Sequence, residues 1–357
     1  MMRDLPPRAR VPLLALGLVA LVAGMLAGLA RLGVDAPAAS LAAWHGPLMV
    51  AAFFGVVIAL ERAVAARAAW AYSAPLACGL GGLALLAGEP LWAGTLAAAG
   101  AGVLTVVTLR FVARQPEMHT VALAAGAAAL TAGDVAWLAT GVPARAVPLW
   151  IAFFVLTIAG ERLELTRFLP RSPFARGAFA ALALATLAGA AMAGDQAGAR
   201  VLGIALLLFA AWLARYDLAR RTVHDRGLSR YTAVCLLSGY AWLATAGLAM
   251  AANGLVPGTP SYDLALHALF VGFVFAMVFG HAPIIVPAVL RVALPYSAAF
   301  YLPLVLLHGG VALRVAGDLA QAPSTLAAGG IANAVAIVAF IATAAASVAR
   351  GRRASRA

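Results

Sequence analysis

The sequence predicts an all-α, polytopic membrane protein built from twelve transmembrane helices. Three observations predict it. Of the residues, 64% are hydrophobic and only 11% charged, against about 25% charged in soluble domains. The mean hydropathy is +0.97. Apolar runs of the roughly 20 residues that a bilayer core requires recur from one end of the chain to the other. A water-soluble fold is excluded. The basic excess, a formal net charge of +12 carried entirely by arginine, has to be read by position before it is taken for a nucleic-acid footprint.

Twelve runs can be marked, roughly 12–32, 41–62, 71–88, 91–112, 119–139, 147–166, 176–194, 199–216, 231–252, 263–290, 297–316 and 326–348. The first follows Arg3, Arg8 and Arg10 and exceeds the core of about 7–15 residues typical of a signal peptide, so it reads as a retained helix. The third holds Gly79-Leu-Gly-Gly, a pattern that suits close helix contact. Cys78 and Cys235 sit inside the third and ninth runs and form neither a disulfide framework nor a CxxC metal site. The tenth is long and ends in a stretch broken by Pro283 and Pro287. With a cytoplasmic N-terminus, all but four of the 25 basic residues fall on the cytoplasmic side, including the arginines of 215–230 and Arg350, Arg352, Arg353 and Arg356. The exceptions are Arg31, Arg145, Arg200 and Arg314. This is the asymmetry of the positive-inside rule. The expectation is therefore one twelve-helix domain over residues 1–357, multi-pass in a bacterial inner (cytoplasmic) membrane, with both termini inside. The partner of its arginines is the lipid bilayer, and nucleic acid is not expected.

Residues 49–62 match residues 149–162 at an offset of one hundred, with seven identities that include Phe53-Phe54 over Phe153-Phe154 and Glu61-Arg62 over Glu161-Arg162. The tenth run adds a weaker match, with His267 and Phe275 where the second has His45 and Phe53. Repeats an even number of helices apart share an orientation, which predicts three four-helix units around a pseudo-threefold axis.

Of the six histidines, His119 and His224 read as surface residues at cytoplasmic edges. Four lie within spans, where ionisable groups default to functional candidates. His45 and His267 each stand four residues inside the outer start of a run, about 6 Å below that edge at helical rise. Two imidazoles at one depth on separate, co-directional helices suit axial ligation of haem iron; the alternative is that each caps its own helix start. At about 100° per residue, the face below His45 continues through Ala52, Val56 and Ala59, and that below His267 through Val271, Val274 and Val278. These side chains would wall a porphyrin. His281, fourteen residues beyond His267, reads first as a local partner for carbonyls freed by the prolines, and otherwise as facing a second cofactor, a quinol or a proton path. His308 either partners His281, giving a second metal site, or stands alone in the core. Asp134 either snorkels at the outer end or meets a propionate-binding arginine. Glu61 and Glu161 read as rim residues, with a proton path through Glu61, Glu161 and Asp134 as the lesser alternative. Neighbours in sequence do not face each other on a helix, so each Glu-Arg pair must find partners elsewhere. No nucleophile elbow, Walker loop or HExxH motif occurs, and no catalytic residue is assigned.

Twelve spans, a parallel repeat and outer-side histidines on the second and tenth helices resemble catalytic subunit I of the haem-copper oxidases. The stretch His267-Ala-Leu-Phe-Val-Gly-Phe-Val-Phe-Ala-Met-Val-Phe-Gly-His281 also resembles the NnrS-type membrane proteins, associated with haem, copper and nitric-oxide stress. The resemblance implies that His45 and His267 hold a low-spin haem b near the outer face. It departs from the oxidases where they carry a second histidine two residues from the tenth-helix ligand: Ala265 and Leu269 stand there. The sixth and seventh spans also lack the histidines that would ligate copper. The resemblance therefore implies electron transfer or a role in NO or redox stress, with a redox partner protein or quinol, and no oxygen-reducing haem-copper centre. Two rival expectations are a secondary transporter and a cofactor-free accessory protein.

Overall fold

The structure, a computed structural model, describes residues 4–166 and 172–354, so Arg3 and Arg356 lie outside the described residues, as does the side chain of Arg353. The chain is 86% helix, with no strand among the described residues. In order the helices are α1 (Pro7–Arg31), α2 (Ala39–Ala66), α3 (Ala69–Leu86), α4 (Pro90–Arg114), α5 (Met118–Thr140), α6 (Val147–Leu165), α7 (Pro173–Met192), α8 (Gln196–Tyr216), α9 (Gly227–Asn253), α10 (Pro260–Leu290), α11 (Ala298–Leu319) and α12 (Pro323–Ala354). Eleven of these, all but α6, are long and apolar enough to cross a membrane. Helix α6 carries Glu161, Arg162 and Glu164 in its last five residues. The chain is thus a multi-pass membrane protein. Its surface agrees: Leu184, Leu302 and Val305 are 65–68% exposed, as suits side chains that face lipid.

Two compact units form, Met1–Glu161 and Arg162–Ala357, the boundary falling within α6. In the first, α1 lies on α2 and α3, while α3, α4 and α5 pack in chain order. In the second, α7, α8 and α9 pack in order, α9 lies along α10, and α11 pairs with α12. Lipid tails are as apolar as leucine, so small residues that let backbones approach hold such helices together. Gly79-Leu-Gly-Gly does this as predicted. A Cβ at Gly81 would stand 3.1 Å from the Ala93 carbonyl oxygen of α4, and one at Gly79 would stand 2.7 Å from Leu16 of α1. Cys78 and Cys235 are free and buried.

Three expectations need correction. The helices bearing His45 and His267 are not regular: Leu48–Phe54 in α2 and Ala268–Phe275 in α10 are π-helical. The wider i→i+5 turn breaks the even rotation on which the aliphatic stripes were drawn. Ala52, Val56, Ala59 and Val274 are buried, but Val271 and Val278 are only half-buried. Second, α10 is not broken by its prolines and continues helically through Pro283 and Pro287 to Leu290. Thr232 Oγ1 of α9 donates to the Gly280 carbonyl there at 2.9 Å, so a neighbouring helix bonds the backbone of this stretch. Third, His119 is 5% exposed, because α5 packs that edge under α6: a Cβ at Gly160 would stand 3.2 Å from the His119 carbonyl oxygen. His224 is exposed as expected.

Candidate functional site

His45 closes a short 3-10 turn, Ala39–Trp44, and stands three residues ahead of the π-helical stretch of α2. Its ring is seated on α1. Nδ1 lies 2.7 Å from the Gly24 carbonyl oxygen, and a Cβ on Gly28 would come within 2.7 Å of the ring carbon Cε1. The Gly24-Met-Leu-Ala-Gly28 step of α1 is thus a notch for an imidazole. A carbonyl only accepts, so Nδ1 carries the proton and Nε2 is the basic nitrogen.

His267 ends the first, α-helical part of α10 and immediately precedes its π-helical stretch. Nδ1 lies 2.9 Å from the Asp263 carbonyl oxygen and 3.2 Å from Asp263 Oδ1. Arg314 Nη2 of α11 is also 3.2 Å away, but it already donates to Asp263 Oδ2 at 2.6 Å. Nη2 keeps a second N–H, but the Asp263 carbonyl oxygen and Oδ1 can only accept, and the carbonyl is the nearer partner, so Nδ1 is taken as the proton-bearing nitrogen here as well and Nε2 as the base. Asp318, one turn beyond Arg314 on α11, is 7% exposed. Its Oδ2 and Arg314 Nε have no hydrogen-bond partner among the described residues.

The donor chemistry of both histidines therefore fits haem iron. A metal-bound imidazole typically donates its other N–H to a carbonyl or carboxylate, which fixes tautomer and ring orientation. Neither Asp263 nor Arg314 is singled out by the sequence reading as a partner of His267, although the Asp263–His267 spacing of four is the helical pairing distance. The Gly24–Gly28 spacing is likewise a GxxxG step, a sequence signal of close helix approach.

The remaining candidates separate. His281 Nδ1 donates to the Met277 carbonyl oxygen at 2.8 Å, and its Nε2 faces Arg162 Nη1 at 3.3 Å. A guanidinium beside that nitrogen opposes a metal cation there. Arg162 forms two hydrogen bonds with Asp217, at 2.6 and 2.9 Å, and the Tyr240 hydroxyl donates to Asp217 at 2.7 Å. Asp217, just past the end of α8, has no exposed side-chain surface. Burial works to raise its carboxyl, but the hydrogen bonds and charge of Arg162, with the Ala219 N–H and the Tyr240 hydroxyl, hold it below the usual carboxylate range. His308 accepts at Nδ1 from Trp242 Nε1 at 2.9 Å. Its resolved partner is that tryptophan of α9, not His281.

In the first unit, Arg62 pairs with Glu161 of α6, a partner on another helix as expected, but it also forms an ion pair at 3.5 Å with its own neighbour Glu61, against the expectation that the two do not meet, because the long arginine side chain can reach back along the helix. Asp134 does not snorkel. It is 1% exposed, and Trp150 Nε1 donates to it at 2.8 Å, within an aromatic cluster of Trp44, Trp137 and Trp150. A glycine in α5 makes this seat: a Cβ at Gly133 would stand 3.1 Å from the Trp150 ring. Trp150 precedes Glu161 by eleven residues, about 16 Å along α6, so Asp134 is not part of the Glu61–Arg62–Glu161 cluster. No group of three or more metal-binding side chains occurs among the described residues.

A family described as a domain of unknown function, DUF8744, matches residues 10–349, and the chain belongs to it. No curated protein and no solved structure matches the chain.

Proposed function

We propose that this member of the DUF8744 family is a twelve-helix protein of a bacterial inner membrane that binds haem b through Nε2 of His45 and His267 and serves electron transfer or the response to NO and redox stress. The carrying observation is the shared construction of α2 and α10. Each histidine donates from Nδ1 to a backbone carbonyl, and each stands at the mouth of a π-helical stretch. That backbone form covers well under 1% of residues in soluble proteins and gathers at functional sites. The twelfth span in this reading is α6, the termini face the cytoplasm, and three four-helix units surround a pseudo-threefold axis as in oxidase subunit I.

When bound, the haem supplies a reversible one-electron couple at iron. The chain does the rest. Gly24 and Asp263 keep both imidazoles in the tautomer that presents Nε2. His45 and His267 would both be held by the group, so it would supply electron transfer or sensing rather than substrate activation, and a quinol or a redox partner protein would exchange the electrons. Copper has no part in this proposal.

The test is a reduced-minus-oxidised spectrum of protein purified from haem-supplied cells. A Soret and an α band are expected, and both should be lost in His45→Ala and in His267→Ala. No bands in the wild type, or bands unchanged in both variants, overturns the reading. A secondary transporter is the second reading, favoured by the buried Arg162–Asp217–His281 network. Against it, α10 runs unbroken where transporter sites use interrupted helices. Solute uptake into proteoliposomes that is lost in Asp217→Asn would select it.

A further inference from the structure

At the Arg-rich end of the second unit, the start of α9, the stretch between α10 and α11 and the first turn of α11 border a half-open cavity of about 420 Å³ lined by Arg226, Gly227, Arg230, Val234, Tyr296 and Tyr301, the two arginines being exposed. Its charge is unusual for its position. Helix α9 is 27 residues long and begins at Gly227, and its N-cap, Arg226, provides no side-chain cap. The amide N–H groups of a first helical turn lack helical partners and carry a partial positive charge, so a cation there is unfavourable. Yet two arginines stand there. Arg226, the N-cap, and Arg230, in the first turn, line the same cavity, where like charges repel. Among the described residues neither side chain forms an ion pair or a hydrogen bond.

The rest of the cavity matches an anion with an apolar attachment. Tyr296 and Tyr301 line the same cavity as the arginines. The buried ring of Tyr231 packs against both, at 5.8 and 5.2 Å between centroids. The Tyr231 hydroxyl and Ser297 Oγ have no hydrogen-bond partner among the described residues. Gly227, with φ +66°, leaves open space where a Cβ would stand, so the backbone there is uncovered. Val234 stands one turn beyond Arg230, in the apolar length of α9.

We infer that this cavity is a phosphate-binding site. Arg226, Arg230 and the first N–H groups of α9 hold the phosphate oxygens, the two tyrosine hydroxyls donate to them as well, and Val234 meets the apolar part of the bound molecule. Phosphate chemistry has two sources, an anionic phospholipid headgroup and free phosphate. Val234 and the position at the end of a membrane helix favour the phospholipid, since basic pockets between transmembrane helices capture such headgroups. This inference is independent of haem.

The test uses the full-length protein, purified in detergent and stripped of lipid. Phosphatidylglycerol, phosphatidylcholine and inorganic phosphate are titrated separately, read by native mass spectrometry and by thermal melting. Phosphatidylglycerol should bind and raise the melting temperature, and phosphatidylcholine should do so far less. In Arg226→Gln/Arg230→Gln, affinity should fall about tenfold or more, as expected for loss of charge-assisted hydrogen bonds. Arg220→Gln/Arg221→Gln, which removes the same charge outside the cavity, should change it less than about twofold. If the first variant does not fold, Tyr296→Phe/Tyr301→Phe is read instead, with a smaller loss expected. Binding of inorganic phosphate but not phosphatidylglycerol keeps the site and assigns free phosphate as its source. Equal losses in the two arginine variants, no loss in the tyrosine variant, or no binding of either phosphate compound overturns it.

Discussion

The two histidine helices share a backbone plan and differ in what surrounds it. In α2 the imidazole of His45 lies in a glycine notch, and its Nδ1 meets a neutral carbonyl, that of Gly24. In α10 the imidazole of His267 lies among Asp263, Arg314 and, one turn away, Asp318. The first is held by shape, the second by charge. Position along a helix therefore recurs between the units, whereas the means of fixing the ring does not. A similar split separates the repeated arginines. Arg62 pairs with Glu161, whose side chain is 24% exposed, while Arg162 pairs with Asp217, which is fully buried. Each contrast can be broken by substitution, and the expected effects differ in size.

The largest effect is expected at the buried arginine. Arg162→Gln leaves the Asp217 carboxylate in a dry site with only neutral donors. Removing one partner of such a pair costs about 3–5 kcal/mol, mainly through the uncompensated charge. Thermal melting of the purified protein should show a drop of many degrees or loss of the folded state; a change below two degrees would refute the assignment. The pH dependence follows from the same pair. The folded-state Asp217 carboxyl is held below its ordinary range, so its contribution is fully present above the unfolded value of about 3.9 and fades as pH falls from there toward the folded value. Melting temperatures taken below about pH 4 should therefore decline more steeply in the wild type than in Asp217→Asn.

Next in size is the glycine notch. In Gly28→Ala the added methyl would lie 2.7 Å from His45 Cε1 and 2.8 Å from Nδ1. The ring must leave its carbonyl partner, and overpacking of this kind costs about 1–3 kcal/mol. The haem spectrum of Gly28→Ala should be reduced or shifted, in contrast to Gly102→Ala in α4, since nothing lies within 4 Å of a Cβ at Gly102 and its backbone is helical. An unaltered spectrum in Gly28→Ala would show that the seat of His45 is irrelevant to ligation.

The sequence reveals the helices because the bilayer imposes length and apolarity on every span. His45, His267 and the Glu-Arg repeat were visible for a related reason: polar groups are few, so each stands out. What was not visible depends on tertiary contact or on backbone form. Nothing local marks Asp217 as the partner of Arg162, fifty-five residues away. The π-helical stretches follow from no residue pattern that a regular helical wheel can register, so the stripes drawn below both histidines were too regular. His119 looked exposed because its span edge is polar, and it is buried because α6 covers it. Asp134 looked able to reach water, but Gly133 admits the Trp150 indole beside it instead. The proline pair suggested a break, but α10 continues helically through both prolines.

Asp134 supplies a moderate prediction. Trp150→Phe keeps the aromatic packing and removes the donor, leaving a carboxyl that is 1% exposed without that bond. The cost should be about 1–3 kcal/mol, and Asp134→Asn in the same background should recover part of it, since an amide is cheaper to bury than a carboxylate. A melting temperature equal to that of the wild type would mean that the hydrogen bond is not formed.

The smallest effect is expected at Arg62, and it completes the comparison of the repeated arginines. Glu61 and Glu161 keep 28% and 24% of their side-chain surface exposed, so water can solvate both carboxylates once the guanidinium is gone. Partly exposed pairs are worth about 0–1 kcal/mol, so Arg62→Gln should lower the melting temperature by only a few degrees where Arg162→Gln lowers it severely. If the two variants lose equal stability, exposure does not separate the two halves of the repeat, and Glu161 is as isolated from solvent as Asp217. If the difference holds, the repeat has kept its arginines in register while only the second unit has closed its copy off from water.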